Sequence, residues 1–449
     1  MDKALKVGFA RVNVNPPMGI DIRGYYKVRK ADGVLDDLEI NAVALSQNGK
    51  TMLIMAIDHC GMQVPVIEKF KKAITEKTGI LADAIYIHTT HTHTGPEVVP
   101  IDEDEYQVEY KTFLTRRFVD VAQFAIEDLK PAKVGYGVSE AKNVAFIRRY
   151  KMKDGTTKTN PGVNNPDIVC PVGELDESVN VVRFDREGAE TVVLVNFANH
   201  PDVVGGNKIS ADWPGFTRRF VEKAIDNTKC IFLNGTQGDV NHVNVHPTKG
   251  DFNDMFNDFD GCSRGYGHAR HIGRVVAGAV MSIYDKVEYV DVADINYSIT
   301  PVKVMLNKAT PEELSLAHKY NDLHNAGRDD EIPFEAMMLT TIVAEASRMV
   351  RLEHEPDFYE LPMSAMSIGK IALIGIPGEP FNAVGRGLKK ADGWDLIIPT
   401  CLTNGSQGYF PMQDSYDEGG YEARSSTFKA GTAENLINQG VSILGKLKK

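Results

Sequence analysis

Hydrophobic positions along the chain form short continuous runs that alternate with longer stripes of helical spacing. Residues 40–57 contain two apolar runs joined at Asn48-Gly49, a dipeptide typical of a tight hairpin turn. A stripe with a 3.6-residue period follows over about 65–79, and a second one occupies 104–129, so both segments are predicted to be helices. This order of strands and helices predicts an α/β fold with a mostly parallel β-sheet core flanked by helices.

The remaining pattern extends this arrangement to the end of the chain. Continuous apolar runs predict further buried strands at about 191–197 and 229–234. The polar, Gly/Pro/Asn-rich segment 143–167 is typical of a long loop. We therefore expect one α/β domain over residues 1–449, with a peripheral helical excursion at about 305–355.

The first candidate for chemistry is the segment 85-IYIHTTHTHTGPE-97, in which an apolar run ends in three histidines. In an extended chain His91 and His93 point to the same face, an arrangement suited to a metal but also found at an ordinary polar edge. A catalytic zinc needs three or four protein ligands, so distant segments must supply the others.

Other predicted strand ends carry suitable ligands. The strand at 191–197 leads to His200, and Glu379 lies between a strand and a helix, where it is either a metal ligand or an acid stabilised at a helix N-terminus. We expect a zinc site at the carboxyl ends of the strands. A two-metal site that recruits Asp58, Asp239 or His242 is an alternative.

Composition limits the range of partners. The formal net charge of −11 argues against nucleic-acid binding, and no apolar stretch approaches the ~18 residues of a membrane helix. Five widely spaced cysteines, none of them in a Cys-x-x-Cys pair, are typical of free thiols in a reducing compartment. We expect a cytoplasmic protein that acts on a small molecule without stable membrane insertion; its oligomeric state is not indicated.

Six segments, distributed over nearly the whole chain, together resemble the catalytic domain of the neutral/alkaline (non-lysosomal) ceramidase family. In chain order they are GFARVNVNPPMG, THTHTGP, NFANHPD, NGTQGDVN, GIPGEPF and YEARSS. The resemblance implies an α/β catalytic domain with one Zn²⁺. We expect no counterpart of the family's C-terminal immunoglobulin-like domain, because no residues remain for it.

Position by position, the resemblance implies a zinc site and a set of catalytic groups. The zinc ligands would be His91, His200, Glu379 and Tyr409, with Tyr416 as the alternative tyrosine. The catalytic groups around the scissile carbonyl would be His93, Arg148 and Tyr421. From the residues alone, Arg148 and Arg149 are better interpreted as a solvated pair.

One position departs from the family pattern. Asn241 follows Gly-Asp-Val where the family has a serine, and His242 follows in place of proline. Asparagine cannot form an acyl intermediate, so Asn241 is expected to orient substrate while zinc-bound water attacks. The expected function is zinc-dependent hydrolysis of a C–N amide bond in a soluble N-acyl substrate. The alternatives are a non-catalytic metal-containing binding module and a two-metal esterase or lactonase.

Overall fold

The computed structural model describes residues 4–100, 105–253 and 265–448. Their helices are α1 (Val64–Thr78), α2 (Glu105–Glu127), α3 (Asp212–Ala224), α4 (Gly265–Tyr284), α5 (Pro311–Asn325), α6 (Ala336–Leu352), α7 (Asn382–Leu388), α8 (Asp414–Glu418), α9 (Tyr421–Ser425) and α10 (Thr432–Leu447). None of these helices combines the length and the apolar character that crossing a membrane requires.

The strands of the described residues range from two to eleven residues in length. In chain order they are β1 (Lys6–Asn13), β2 (Asp21–Ile22), β3 (Arg29–Lys30), β4 (Gly33–Val34), β5 (Glu39–Gln47), β6 (Lys50–Ile57), β7 (Ile85–Thr89), β8 (Lys130–Glu140), β9 (Phe146–Ile147), β10 (Arg149–Met152), β11 (Thr157–Thr159), β12 (Ile168–Pro171), β13 (Ser178–Arg186), β14 (Thr191–Phe197), β15 (Lys208–Ile209), β16 (Thr228–Asn234), β17 (Val240–Asn241), β18 (Glu288–Val290), β19 (Ile295–Met305), β20 (Phe358–Ile368), β21 (Ile371–Gly375), β22 (Glu379–Pro380), β23 (Leu396–Thr400) and β24 (Tyr409–Phe410).

The main sheet confirms the α/β class but corrects the expected strand directions. Its order is β16-β14-β13-β8-β1-β5-β6-β7, with β18 beside β8. Only the β14–β16 and β6–β7 pairs of this sheet are parallel, and its other pairs within the described residues are antiparallel. The sheet is therefore mixed rather than mostly parallel. Short connections such as Asn48-Gly49 and the turn between β13 and β14 join neighbouring strands, which makes those pairs antiparallel.

The main sheet curls so that its two ends meet. Strand β16 contacts β5, β6 and β7. At this junction the Asn234 backbone N–H donates to His88 Nε2 at 2.8 Å, and the Asn234 side-chain amide donates to the Thr90 carbonyl at 3.3 Å. The carboxyl ends of β7, β14 and β16 consequently lie close together.

A second sheet supplies the other half of the site. Its order is β19-β20-β21-β23, and it packs against α7 and α10. The chain leaves β21 towards β22 and leaves β23 towards β24, and these two short strands pair in parallel with Glu379 opposite Tyr409. Glu379 and Tyr409, which lie far from His200 along the chain, are thereby brought to the junction of the main sheet.

The predicted long loop over 143–167 is wrong as a description of that segment. It contains β9, β10 and β11, and β10 forms a small sheet with β11 and β12. The pair Arg148 and Arg149 at its start is buried rather than solvated, with 5% and 2% of each residue exposed. Asparagine and glycine residues of this segment occupy the turns between the strands, for example Gly155 at φ 84°.

Candidate metal centre and active site

His91 lies two residues beyond the end of β7 in a strained backbone conformation. Its φ is 78°, a value that residues with a Cβ rarely adopt. The backbone holds it there: the His91 N–H donates to the His59 carbonyl at 2.8 Å, and ring atom Nδ1 lies 2.5 Å from the Cys60 carbonyl oxygen. Strain imposed by surrounding structure is found mainly at functional sites. The bonded Nδ1 leaves Nε2 as the acceptor atom of the ring.

His200, on the loop after β14, is oriented in the same way. Its Nδ1 lies 3.1 Å from the Gln237 carbonyl and 3.2 Å from the Val240 carbonyl, so that its Nε2 is also the free acceptor. Burial lowers the pKa of His200 to about 4, which keeps the ring neutral at pH 7. Carbonyl partners of this kind fix the tautomer and orientation of metal-binding histidines.

Three acceptor atoms from distant segments face one another at this point. His91 Nε2 lies 3.1 Å from His200 Nε2, and Glu379 Oε2 lies 3.3 Å from each of them. All three residues are at least nine-tenths buried, and Glu379 Oε2 forms no hydrogen bond within the described residues. Buried acceptors placed this close together are unfavourable unless a cation or a shared proton lies between them.

The donor set and its spacing fit zinc. Two imidazole nitrogens and a carboxylate oxygen are common zinc ligands, and tetrahedral bonds of about 2.0–2.1 Å separate neighbouring donors by about 3.3 Å. Burial alone would lower the pKa of His91, but the Glu379 carboxylate raises it well above its usual value. A proton therefore takes the cation's place when no metal is bound, and metal binding would release it.

Tyr409 is the better placed of the two candidate tyrosines. It lies opposite Glu379 in the β22–β24 pair, and its ring centroid is 6.5 Å from that of His200. Burial and the Glu379 carboxylate raise the pKa of Tyr409 well above its usual range, so only a bound cation would favour the phenolate. The Tyr416 hydroxyl, in contrast, donates to the Phe428 carbonyl at 2.6 Å, and Tyr416 lines a different cavity.

Three further candidate residues line a cavity of about 900 Å³ beside the candidate metal ligands. His93, Arg148 and Tyr421 all contribute to its wall. His93 Nε2 lies 3.3 Å from His91 Nε2, and the Arg148 guanidinium carbon lies 5.4 Å from the Tyr409 ring centroid. The His93 imidazole and the Arg148 guanidinium therefore face the same cavity as the candidate metal ligands.

Arg148 is held by residues that sequence reasoning did not single out. Its Nε donates to Glu422 Oε1 at 2.6 Å, and its Nη2 donates to the Gly238 carbonyl at 2.8 Å. Glu422 is fully buried and also accepts a bond from the Thr159 hydroxyl at 2.7 Å. The only signal for Glu422 was its place in the YEARSS segment, directly after Tyr421.

Tyr26 and Asp202 were also missed. The Tyr26 hydroxyl lies 3.3 Å from the Tyr421 hydroxyl, and both Tyr26 and Asp202 line the cavity. The signal for Asp202 was its position two residues after His200. Tyr26 carried no local signal, because the loop around Gly24 is brought to the site only by the fold.

Asn241 lies behind the cavity wall rather than in it. It is 1% exposed, and its amide donates to Asn160 Oδ1 at 2.9 Å, while Asn160 itself lines the cavity. Asn241 Oδ1 accepts a bond from the Val243 N–H at 3.0 Å. Any contribution of Asn241 to substrate orientation would therefore pass through Asn160.

The residues considered for a second metal have other partners. Asp58 forms two hydrogen bonds with the Arg218 guanidinium, at 2.6 and 2.9 Å, and both side chains are buried. Asp239 Oδ1 accepts a bond from the Asn382 N–H at 2.6 Å. Within the described residues, none of the three belongs to a group of His, Cys, Asp or Glu side chains that could hold a metal ion.

The Asp58→Asn variant should separate the structural role of Asp58 from a role in metal binding. The substitution removes one of the two carboxylates that pair with buried Arg218, and Glu39 remains at 3.2 Å, so we expect the free energy of unfolding to fall by about 1.5–3 kcal/mol. The zinc content of the folded variant should stay at the wild-type level. Denaturant unfolding and metal analysis measure the two quantities, and two zinc ions per wild-type chain with a loss of one in Asp58→Asn would contradict this assignment.

Comparison with known proteins identifies the fold. The chain matches no protein-family model and no curated relative. Among solved structures it is similar to neutral ceramidase from Pseudomonas aeruginosa, with a TM-score of 0.71 and 16% sequence identity over 100% of this chain and 76% of that one. A ceramidase complexed with C2 has a TM-score of 0.70 and 16% identity over 99% of this chain and 76% of that chain. At this level of identity the similarity establishes the architecture, and the chain has the fold of the neutral ceramidases.

Proposed function

We propose that this protein is a zinc-dependent hydrolase that cleaves the C–N amide bond of an N-acyl substrate. One observation carries the proposal: His91 Nε2, His200 Nε2 and Glu379 Oε2 lie within 3.3 Å of one another beside a cavity of about 900 Å³. The fold shared with proteins named as ceramidases, which hydrolyse an amide, supports the same reaction class.

Each group in this proposal has a distinct task. Bound zinc would supply a Lewis acid that polarises a carbonyl and lowers the pKa of water towards ~7. His93 Nε2 would accept a proton from the attacking water and return it to the leaving amine. Arg148 and the Tyr421 hydroxyl would donate hydrogen bonds to the developing oxyanion. Tyr409 would be the fourth ligand.

The walls of the cavity suit a substrate of mixed polarity. Tyr26, Val28, Leu339 and Val343 supply apolar surface, and Arg148 and Asp202 supply charged groups. A volume of about 900 Å³ is at the upper end of pockets that enclose a drug-sized molecule. We infer that an N-acyl amide of that size is enclosed, and that a long alkyl chain would extend beyond it. The buried free thiols Cys60, Cys230 and Cys401 favour a cytoplasmic location.

The test is zinc-dependent turnover. The zinc-loaded protein should release amine from N-acyl amides that include short-chain ceramides, chelation should abolish the release, and added zinc should restore it. Simple esters of the same acyl groups serve as a comparison for the esterase alternative. A fully zinc-loaded protein that hydrolyses no amide would overturn the proposal in favour of a binding module.

The Asn241→Ala variant tests whether this position takes part in the chemistry. Because its amide contacts Asn160 and not the cavity, we expect kcat/KM to fall only about tenfold, on the scale of one neutral hydrogen bond. Asn160→Ala should lower kcat/KM by as much or more. In the double variant, the loss of transition-state stabilisation should be smaller than the sum of the losses in the two single variants. A loss beyond ~10³-fold in Asn241→Ala would instead indicate contact with the reacting atoms.

A further inference from the structure

One acid in the cavity wall has no role in the proposed reaction. Asp202 follows His200 by two residues and lines the cavity together with His93 and Arg148. Its Oδ1 lies 3.0 Å from Nδ1 of His242, and His242 is 2% exposed. The acid and the imidazole behind it thus form a pair of which only the acid reaches the cavity.

Two other charged groups of this wall have partners within the protein: Arg148 is paired with Glu422 at 2.6 Å, and Asp329 with His324 at 2.7 Å. Lys27 is a further charged group of the wall. Asp202 forms no salt bridge with a lysine or arginine within the part of the chain that the structure describes, and its longer-range attraction to Arg148 is shared with Glu422 and Tyr409. A carboxylate offers about four acceptor positions, and His242 can occupy only one of them.

We propose that Asp202 accepts a hydrogen bond from a donor group of the substrate, a hydroxyl or an ammonium, close to the scissile amide. A buried carboxylate is costly unless it is hydrogen-bonded, and the open side of Asp202 faces the cavity. The inference rests on the proposed function and narrows its substrate class. N-acyl compounds with a hydroxyl or amino group beside the amide should be preferred over equally large N-acyl alkylamines.

Metal-binding probes test the proposal without turnover. Propionohydroxamate, glycolohydroxamate and glycine hydroxamate carry a methyl, a hydroxyl and an ammonium group at the same position and bind zinc through the same hydroxamate. Isothermal titration calorimetry with the zinc-loaded full chain should give affinities about 10–100-fold higher for a donor-bearing probe than for propionohydroxamate. The affinities of glycolohydroxamate and glycine hydroxamate, compared with each other, show whether the site prefers a hydroxyl or an ammonium group.

A second series covers the amine side of the amide. N-acetylpropylamine, N-acetylethanolamine and N-acetylethylenediamine differ in the same way, and their kcat/KM values should show the same preference. In Asp202→Asn and Asp202→Ala, the ratio of the value for a donor-bearing compound to the value for the donor-free compound should fall to about one. This applies to whichever series shows the preference in the wild type. Glu353→Gln, which alters an acid–histidine pair with His318 outside the cavity, is the matched control and should keep the preference.

The outcomes separate this inference from the proposed function. Equal affinities and equal kcat/KM values across both series, or a preference that survives in both Asp202 variants, would overturn the role of Asp202. Absence of amide hydrolysis together with a hydroxamate preference that depends on Asp202 would overturn the hydrolase and leave Asp202 as a ligand-recognition residue.

Discussion

The His200→Ala variant should lose its zinc and, with it, at least ~10³-fold of the kcat/KM for amide hydrolysis. His200 supplies one of three buried acceptors that lie within 3.3 Å of one another, and its removal leaves His91 and Glu379 as an incomplete ligand set. Loss of a Lewis acid removes several kcal/mol of transition-state stabilisation. Metal analysis of the purified variant and steady-state kinetics measure the two effects.

The matched control is a second buried histidine of the same region. His88 is fully buried, but its Nδ1 contacts the Cys401 carbonyl at 2.9 Å and its Nε2 accepts from the Asn234 N–H at 2.8 Å. The His88→Ala variant should therefore lose stability while retaining about one zinc per folded chain. Zinc retained in His200→Ala, or lost equally from both variants, would refute the ligand assignment.

Replacing His93 with alanine should lower kcat/KM by roughly 10²–10⁴-fold while the zinc content stays unchanged. His93 reaches the cavity beside the ligands, and proton transfer to and from a positioned side chain contributes on this scale. The measurement is steady-state kinetics on the amide substrate combined with metal analysis of the purified variant.

His93 also has an alternative role that this experiment can detect. Together with Cys60 and His91 it forms a second buried group whose ligand atoms lie within 4.8 Å of one another. If His93 were a ligand of that site, His93→Ala would lose metal as well as activity. Cys60→Ala would then lose metal too, whereas a general-base role predicts zinc at the wild-type level in both variants.

Local patterns predicted the elements that depend on neighbouring residues. The hairpin at Asn48-Gly49 is confirmed, with Asn48 at φ 52° and Gly49 at φ 80°. The helix expected over about 65–79 is α1, which ends at Thr78 and is capped by Gly79 in the left-handed conformation. In both cases the signal is a turn or cap residue within a few positions of the element that it ends.

Strand direction was the part of the fold that local patterns could not determine. A continuous apolar run predicts a strand that is buried on both faces, and such a strand can be either parallel or antiparallel to its neighbours. The register of β8 against β13, for example, pairs Glu140 with Ser178. Such pairing depends on which segments meet in space, and the hydrophobic periodicity of one strand does not indicate its partner.

The burial of Arg148 illustrates the same limit for side chains. Two adjacent arginines in a polar segment are usually solvated, and the sequence near them contains no sign of their partners. The partner of Arg148 is Glu422, 274 residues away, and Arg149 reaches Ser415 at 2.8 Å. A buried cation is tolerated only when such a partner is present, so its environment is a property of the tertiary structure.

The sequence by itself determined which ligand types stand at the ends of which elements: imidazoles after two buried strands and a carboxylate between a strand and a helix. The tertiary structure decided that His91, His200 and Glu379 meet, because the main sheet curls until β16 contacts β7 and because β22 pairs with β24. The tertiary structure also determined that Asn241 lies behind Asn160 and that Asp202 lies in the cavity wall. The physical reason is that the period of a segment encodes the face it buries, whereas the convergence of side chains depends on contacts between segments distant in sequence.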